Sequence, residues 1–201
     1  MISVYDLKPK FQSLLRPSVR YAANKHITPN QITLAALMLS CITGAYIWLS
    51  SGSKYSLLCV PITLFLRMAL NAMDGMLARE FNLSSRVGQI LNELGDVISD
   101  VVLYLPFTVI VGLTPSLIVI FIILAILTEF SGILSQVIIG TRRYDGPMGK
   151  SDRALLFGAI SLLVSLKMLD MYWINFLLVA SCLLAVWTIW NRLRPALSSR
   201  S

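Results

Sequence analysis

Apolar runs recur along the chain at lengths close to the 20 or so residues that a helix needs to cross a bilayer. Six stretches qualify, at 32–50, 57–78, 88–113, 116–140, 154–166 and 172–193. The segments between them, 51–56, 79–87, 114–115, 141–153 and 167–171, are loop-sized. Ahead of the first span, Val4, Leu7, Phe11, Leu14 and Leu15 recur at helical spacing among Lys8, Lys10 and Arg16. That pattern predicts an amphipathic helix lying in the membrane interface within residues 1–30, with Pro9 and Pro17 limiting its regularity. The expected architecture is all-α and integral to the membrane: an interfacial amino-terminal helix and six transmembrane helices in 31–201.

Composition agrees with lipid as the solvent. Hydrophobic residues make up 56% of the 201 positions and charged residues 13%, about half the charged fraction of soluble domains; mean hydropathy is +0.74. A secreted disulfide scaffold, a disordered regulator and a free cytosolic enzyme are excluded. The three cysteines, Cys41, Cys59 and Cys182, lie far apart in apolar runs and have no metal-binding or disulfide spacing. Residues 1–25 do not read as a cleaved signal peptide.

The net charge of +7 invites a nucleic-acid reading, but the placement of the bases argues against one. Fourteen of the 17 Lys and Arg fall on one side of the six spans: Lys8, Lys10, Arg16, Arg20, Lys25, Arg79, Arg86, Arg142, Arg143, Lys150, Arg153, Arg192, Arg194 and Arg200. Only Lys54 and Lys167 fall on the other, and Arg67 lies within a span. The positive-inside rule then puts both termini in the cytoplasm, with no nucleic-acid partner.

Five of the ten acids fall inside spans: Asp74, Glu93, Asp96, Asp100 and Glu129. An ionisable group at that depth is expensive unless it faces a polar cavity or a partner, so it marks function by default. Asn71 and Asp74 share a face of the second span. Gly88, Asn92, Asp96 and Asp100 follow at four-residue intervals and form one stripe on the third. A short loop makes the two helices antiparallel neighbours, so the stripes are expected to face each other across a polar pocket open to the cytoplasm. Its oxygen donors suit a hard divalent ion such as Mg²⁺ or Mn²⁺, and such an ion beside lipid headgroups favours phosphate chemistry. Gly75, Ala78 and Gly88 leave room for a ligand against the backbone, and Arg79 is placed to meet a phosphate. Close helix packing by the glycines, interhelical bonding by the asparagines, and an ion path along the acids are the competing readings.

The run Asn71-Ala72-Met73-Asp74-Gly75-Met76-Leu77-Ala78-Arg79, then Gly88, Asn92 and Asp96, resembles the CDP-alcohol phosphotransferase signature D-x2-D-G-x2-A-R-x8-G-x3-D-x3-D. Every spacing matches, as do six of the eight fixed positions; Thr28-Pro29-Asn30 before the first span adds to the likeness. The resemblance implies transfer of a substituted phosphate from a CDP-linked lipid donor, CDP-diacylglycerol above all, to an alcohol acceptor, with release of CMP. It also implies one or two Mg²⁺ or Mn²⁺ ions, a homodimer, contact with membrane lipid, and residence in the inner (cytoplasmic) membrane. By position, Asp74 becomes a metal ligand, Asp96 the general base and a further ligand, and Asp74, Gly75, Ala78, Arg79 and Gly88 the CDP site. Two signature aspartates are replaced by Asn71 and Asn92, whose amide oxygens can ligate but bring no charge. Asp100, a turn deeper on the same stripe, is a substitute ligand. Arg67 is expected to pair with these acids or to meet a substrate phosphate.

The loop 141–153 gathers Arg142, Arg143, Lys150 and Arg153 around Gly146, Pro147 and Gly149. These bases signal topology, or else Lys150 and Arg153 bind a phosphate on the acceptor or lipid; in that case the acceptor is a sugar- or polyol-phosphate. Glu129 is expected either to close the cavity or to hydrogen-bond across helices. Three functions stand open: a transferase of phospholipid synthesis, a non-catalytic descendant binding nucleotide or lipid, and an ion or transport protein.

Overall fold

The structure, a computed structural model, describes the backbone of residues 4–198 and side chains from residue 11 onward. The expectations for the side chains of Val4, Leu7, Lys8, Lys10 and Arg200 lie outside the described residues. Within them the protein is helical: α1 (Val4–Asn24), α2 (Pro29–Leu49), α3 (Lys54–Glu80), α4 (Arg86–Tyr104), a 3₁₀ segment (Leu105–Val109), α5 (Pro115–Ile139), α6 (Lys150–Ser165) and α7 (Met171–Ser198). Four of these, α2, α3, α5 and α7, are long and apolar enough to cross a membrane. Their outward residues are large and apolar, among them Met38, Phe65, Ile123, Phe130 and Trp187, a surface that water disfavours and lipid accepts. Buried hydroxyls bond back to their own helix, as Ser40 does to Ala36, Ser161 to Gly158 and Thr188 to Leu184.

The other two expected spans differ from the four. The stretch 88–113 is not one helix: α4 stops at Tyr104 and a 3₁₀ turn follows, because Pro106 lacks an amide proton and disfavours the α conformation in the residue before it. α6 begins at Lys150 rather than at 154, shortening the loop before it. The Asp152 carboxylate accepts the Gly149 amide at 2.9 Å and so caps the earlier start. At 16 residues, α6 is about 24 Å long.

The chain divides into two compact units. The first comprises Met1–Ile42 and Ile62–Ser99. Its core joins Val19 and Ala22 of α1, Ile32 of α2, and Met76 and Leu77 of α3. Phe11 meets Phe65 edge-on, and Arg16 pairs with Glu80 at 3.1 Å on the surface. α1 ends in a left-handed residue, His26, with the amides of His26 and Ile27 returning to the carbonyls of Ala23 and Ala22. The only histidine thus serves a helix end.

The second unit comprises Thr43–Pro61 and Asp100–Ser201. Tyr104 stacks on Phe157 with centroids 3.9 Å apart, and Phe107 and Phe121 pack around the same ring. Gly44 sits where a β-carbon would drive into the backbone carbonyl of Val102, so α2 and α4 touch there backbone to backbone. Asn175 ties the loop before α5 to α7, accepting from the Thr114 amide and donating to the Gly112 carbonyl.

Candidate active site

In the first unit, two helix starts converge with the end of α3. α2 opens with a reciprocal cap: Thr28 Oγ1 accepts the Gln31 amide, and Gln31 Oε1 accepts the Thr28 amide. Pro29 follows as the first helical residue, with its ring in a position that needs no amide proton. α3 ends on left-handed Asn82, with the Leu83 amide returning to the Ala78 carbonyl. Ser85 then caps α4, its Oγ accepting the Gly88 amide at 3.0 Å.

Between these ends lies a cleft of about 270 Å³ walled by Asp74, Gly75, Ala78, Arg79, Gly88 and Asn92, together with Pro29, Asn30, Thr33 and the loop 83–85. All five residues expected at the CDP site line it. Asp74 is 6% exposed and accepts the Thr33 hydroxyl at 2.7 Å, a charge-assisted bond that fixes the carboxylate from α2. The Arg79 guanidinium lies over Gly75, 3.3 Å from where a β-carbon would stand. Asn30 Oδ1 lies 2.7 Å from the corresponding point at Gly88. The amino-terminal ends of α2 and α4 both border the cleft, and each carries partial positive charge that suits an anion. Sequence reasoning did not pick out Thr33 or Ser85. Their only signals were a hydroxyl one turn into α2 and a serine three residues before Gly88.

Asn71 and Asp96, on α3 and α4 of this unit, are joined directly: Asn71 Nδ2 donates to Asp96 Oδ1 at 3.0 Å. Arg67 is buried in α3 at 3% exposure. Among the described residues, no group of three or more His, Cys, Asp or Glu converges. The oxygen donors that the cleft itself offers are the Asp74 carboxylate and the Asn92 amide. That set fits a single hard divalent ion with water completing its shell, and lacks the charge for a crowded cluster.

In the second unit, Asp100 and Glu129 meet the arginines. Arg153, 2% exposed, donates to Asp100 Oδ2 through Nε and Nη2 at 3.2 and 3.1 Å and to Glu129 Oε1 at 3.0 Å. Its Nη1 also bonds Thr128 Oγ1. Arg142 reaches Glu129 at 3.5 Å and Arg192 at 3.7 Å. Arg192 further donates to the carbonyls of Asp145 and Thr128. Asp100, expected as a spare metal ligand, and Arg153, expected at a phosphate, are thus partners of each other. Glu129, expected either to close the cavity or to hydrogen-bond across helices, accepts from Arg153 and Arg142. Lys150 is half-buried at the head of α6. The loop before α6 is clamped to α7, where Gly146 leaves no room for a β-carbon against Thr188 and the Met148 amide donates to Thr188 Oγ1.

The sequence pattern of the CDP-alcohol phosphatidyltransferase family matches residues 26–190, and the chain belongs to that family. It is 50% identical over 196 residues to the inner membrane protein YnbA of Escherichia coli strain K12, covering 98% of this chain and 97% of that one. An uncharacterized protein of Aquifex aeolicus strain VF5 is 33% identical over 102 residues, 51% of this chain and 48% of that one. The fold is shared with Mycobacterium tuberculosis phosphatidylinositol phosphate synthase (PgsA1), in crystal structures with CDP-DAG bound and in complex with manganese and citrate. Both align with a TM-score of 0.78 at 15% identity over 92% of this chain, covering 94% and 90% of the synthase. The protein is a membrane protein of a transferase family that works in phospholipid synthesis.

Proposed function

We propose that the protein transfers a substituted phosphate from a CDP-linked lipid, CDP-diacylglycerol, to an alcohol or polyol-phosphate acceptor and releases CMP. The cleft carries this reading: one buried carboxylate, a guanidinium and two helix starts surround a space lined by Gly75, Ala78 and Gly88. In that arrangement Arg79 and the helix ends hold the diphosphate, and the small residues admit the nucleotide. Asp74 holds a divalent ion, Mg²⁺ or Mn²⁺, with the amide oxygen of Asn92, which lines the same cleft, as a neutral donor. Such an ion, when bound, neutralises the diphosphate and stabilises charge in the displacement. Asp96 takes the acceptor hydroxyl's proton as its oxygen bonds to phosphorus and the bond to CMP breaks. Arg153, buried, holds Asp100 and Glu129 in place.

The same reading sets the protein in the inner membrane as a homodimer with six spans, α4 and α6 crossing with their polar faces turned inward. α1 lies in the cytoplasmic interface, residues 1–30 forming a peripheral segment on the 31–201 membrane domain. Both termini are cytoplasmic. The basic residues of the loops and termini support that orientation, and the two buried acid sites support the inward faces of α4 and α6.

The test is CMP release by purified protein in liposomes with CDP-diacylglycerol, Mg²⁺ or Mn²⁺, and a panel of alcohols and polyol-phosphates. Activity is expected and is lost in Asp74→Ala and Asp96→Ala. Undiminished release in Asp96→Ala refutes the base. A second reading, a binding protein without catalysis, is favoured by Asn71 and Asn92; it gains the ground if CDP-diacylglycerol binds but no acceptor or metal yields CMP.

A further inference from the structure

We infer that the site takes one divalent ion rather than two, seated on Asp74, and that Asn71 acts as a positioning residue for Asp96 in place of a second ion. This rests on the transferase reading above and specifies its metal. A primary amide has one donor end and one acceptor end, and only the donor end can face a carboxylate. With Asn71 Nδ2 at 3.0 Å from Asp96 Oδ1, an N–H occupies the place where a cation would have to bridge these two side chains. Seating an ion there requires turning the amide over and breaking a charge-assisted bond. Asn71 also brings no charge, so the Asn71–Asp96 pair offers a cation one carboxylate only.

Asp74 differs from Asp96 in each respect. It lines the cleft with Asn92 and is oriented by Thr33, so its carboxylate can share an ion with the amide oxygen of Asn92 and with a diphosphate. Asp96, held by Asn71 and not shared with an ion, is left to take the acceptor proton.

The experiment is Mn²⁺ binding to the detergent-purified protein, followed by electron paramagnetic resonance of the free ion and by calorimetry. One equivalent per chain is expected. Asp74→Asn abolishes it, whereas Asp96→Asn and Asn71→Ala retain it. Asn71→Asp sets two carboxylates against each other and raises the stoichiometry to two. It also lowers the melting temperature in chelator and recovers it in Mn²⁺. Two equivalents in the wild type, or one in Asn71→Asp with unchanged affinity, overturn the inference while leaving the transferase reading standing. No Mn²⁺ bound by wild type or Asn71→Asp overturns the metal assignment itself, whatever CMP release shows. Should Asn71→Asp not fold, loss of the single ion in Asp96→Asn as complete as in Asp74→Asn is the refuting result.

Discussion

Glu129 is the point at which the second unit is most exposed to a single change. One carboxylate faces three guanidiniums, at 3.0, 3.5 and 3.7 Å from Arg153, Arg142 and Arg192, and its side chain is 13% exposed against 2% for Arg153 and Arg192. Glu129→Gln preserves shape and one acceptor oxygen but removes the charge that Arg153, Arg142 and Arg192 share. Removing one partner of a buried ion pair costs about 3–5 kcal/mol, because the other partner stays buried and uncompensated. Asp100 still holds Arg153 through two nitrogens, which puts the expected loss at the lower end, about 3 kcal/mol. For a chain of this size that corresponds to a fall in melting temperature of about 6–12 °C. The measurement is thermal denaturation in detergent, scored by the monodisperse fraction on size exclusion. Glu129→Asp, which keeps the charge on a shorter stem, recovers part of the loss. A melting temperature for Glu129→Gln within 2 °C of wild type would show that solvent already screens the cluster, and the reasoning would fail.

Three further outcomes follow from the first unit and from the helix contact at Gly44. Gly88→Ala pushes its β-carbon against Asn30 Oδ1, a movable side-chain atom, so stability changes little while CDP-diacylglycerol binding weakens about tenfold; titration of the two together checks this. Thr33→Val keeps volume but deletes the hydroxyl that holds Asp74. A charge-assisted bond is worth about 1.5–3 kcal/mol, so kcat/KM for CMP release falls by about tenfold or more, and an unchanged value would remove Thr33 from the site. Gly44→Ala meets the Val102 backbone carbonyl, which cannot turn aside. Overpacking of this kind costs about 1–3 kcal/mol, and the readout is a lower melting temperature without a selective loss of nucleotide affinity.

Much of the cleft was legible in the sequence because helix geometry is local. Asp74, Gly75, Ala78 and Arg79 fall within two turns of α3, and Gly88 and Asn92 one turn apart on α4, so spacing alone sets them on facing stripes. The membrane class was equally legible, since apolar runs of that length have no soluble use. The start of α6 was not. It depends on Asp152 reaching back to the Gly149 amide, a cap that looks in sequence like one more charge in a basic loop. The break after Tyr104 carried its own signal in Pro106, but a continuous apolar run hid it.

Partners of the buried charges were decided by tertiary structure alone. Asp100 lies on the stripe of Asp96 by every periodic rule, yet its carboxylate belongs to Arg153, 53 residues away. Glu129 meets Arg153 across 24 residues, and Thr33 meets Asp74 across 41. No period relates such positions. A repeat of 3.6 fixes which residues share a face of one helix, but which charge lies opposite depends on how helices pack, and at a buried site each charge needs a partner. The sequence by itself determined that acids would stand on two successive helices of a membrane protein, whereas the fold decided that Asp74 lines the cleft, Asp96 is held by Asn71, and Asp100 serves an ion-pair cluster.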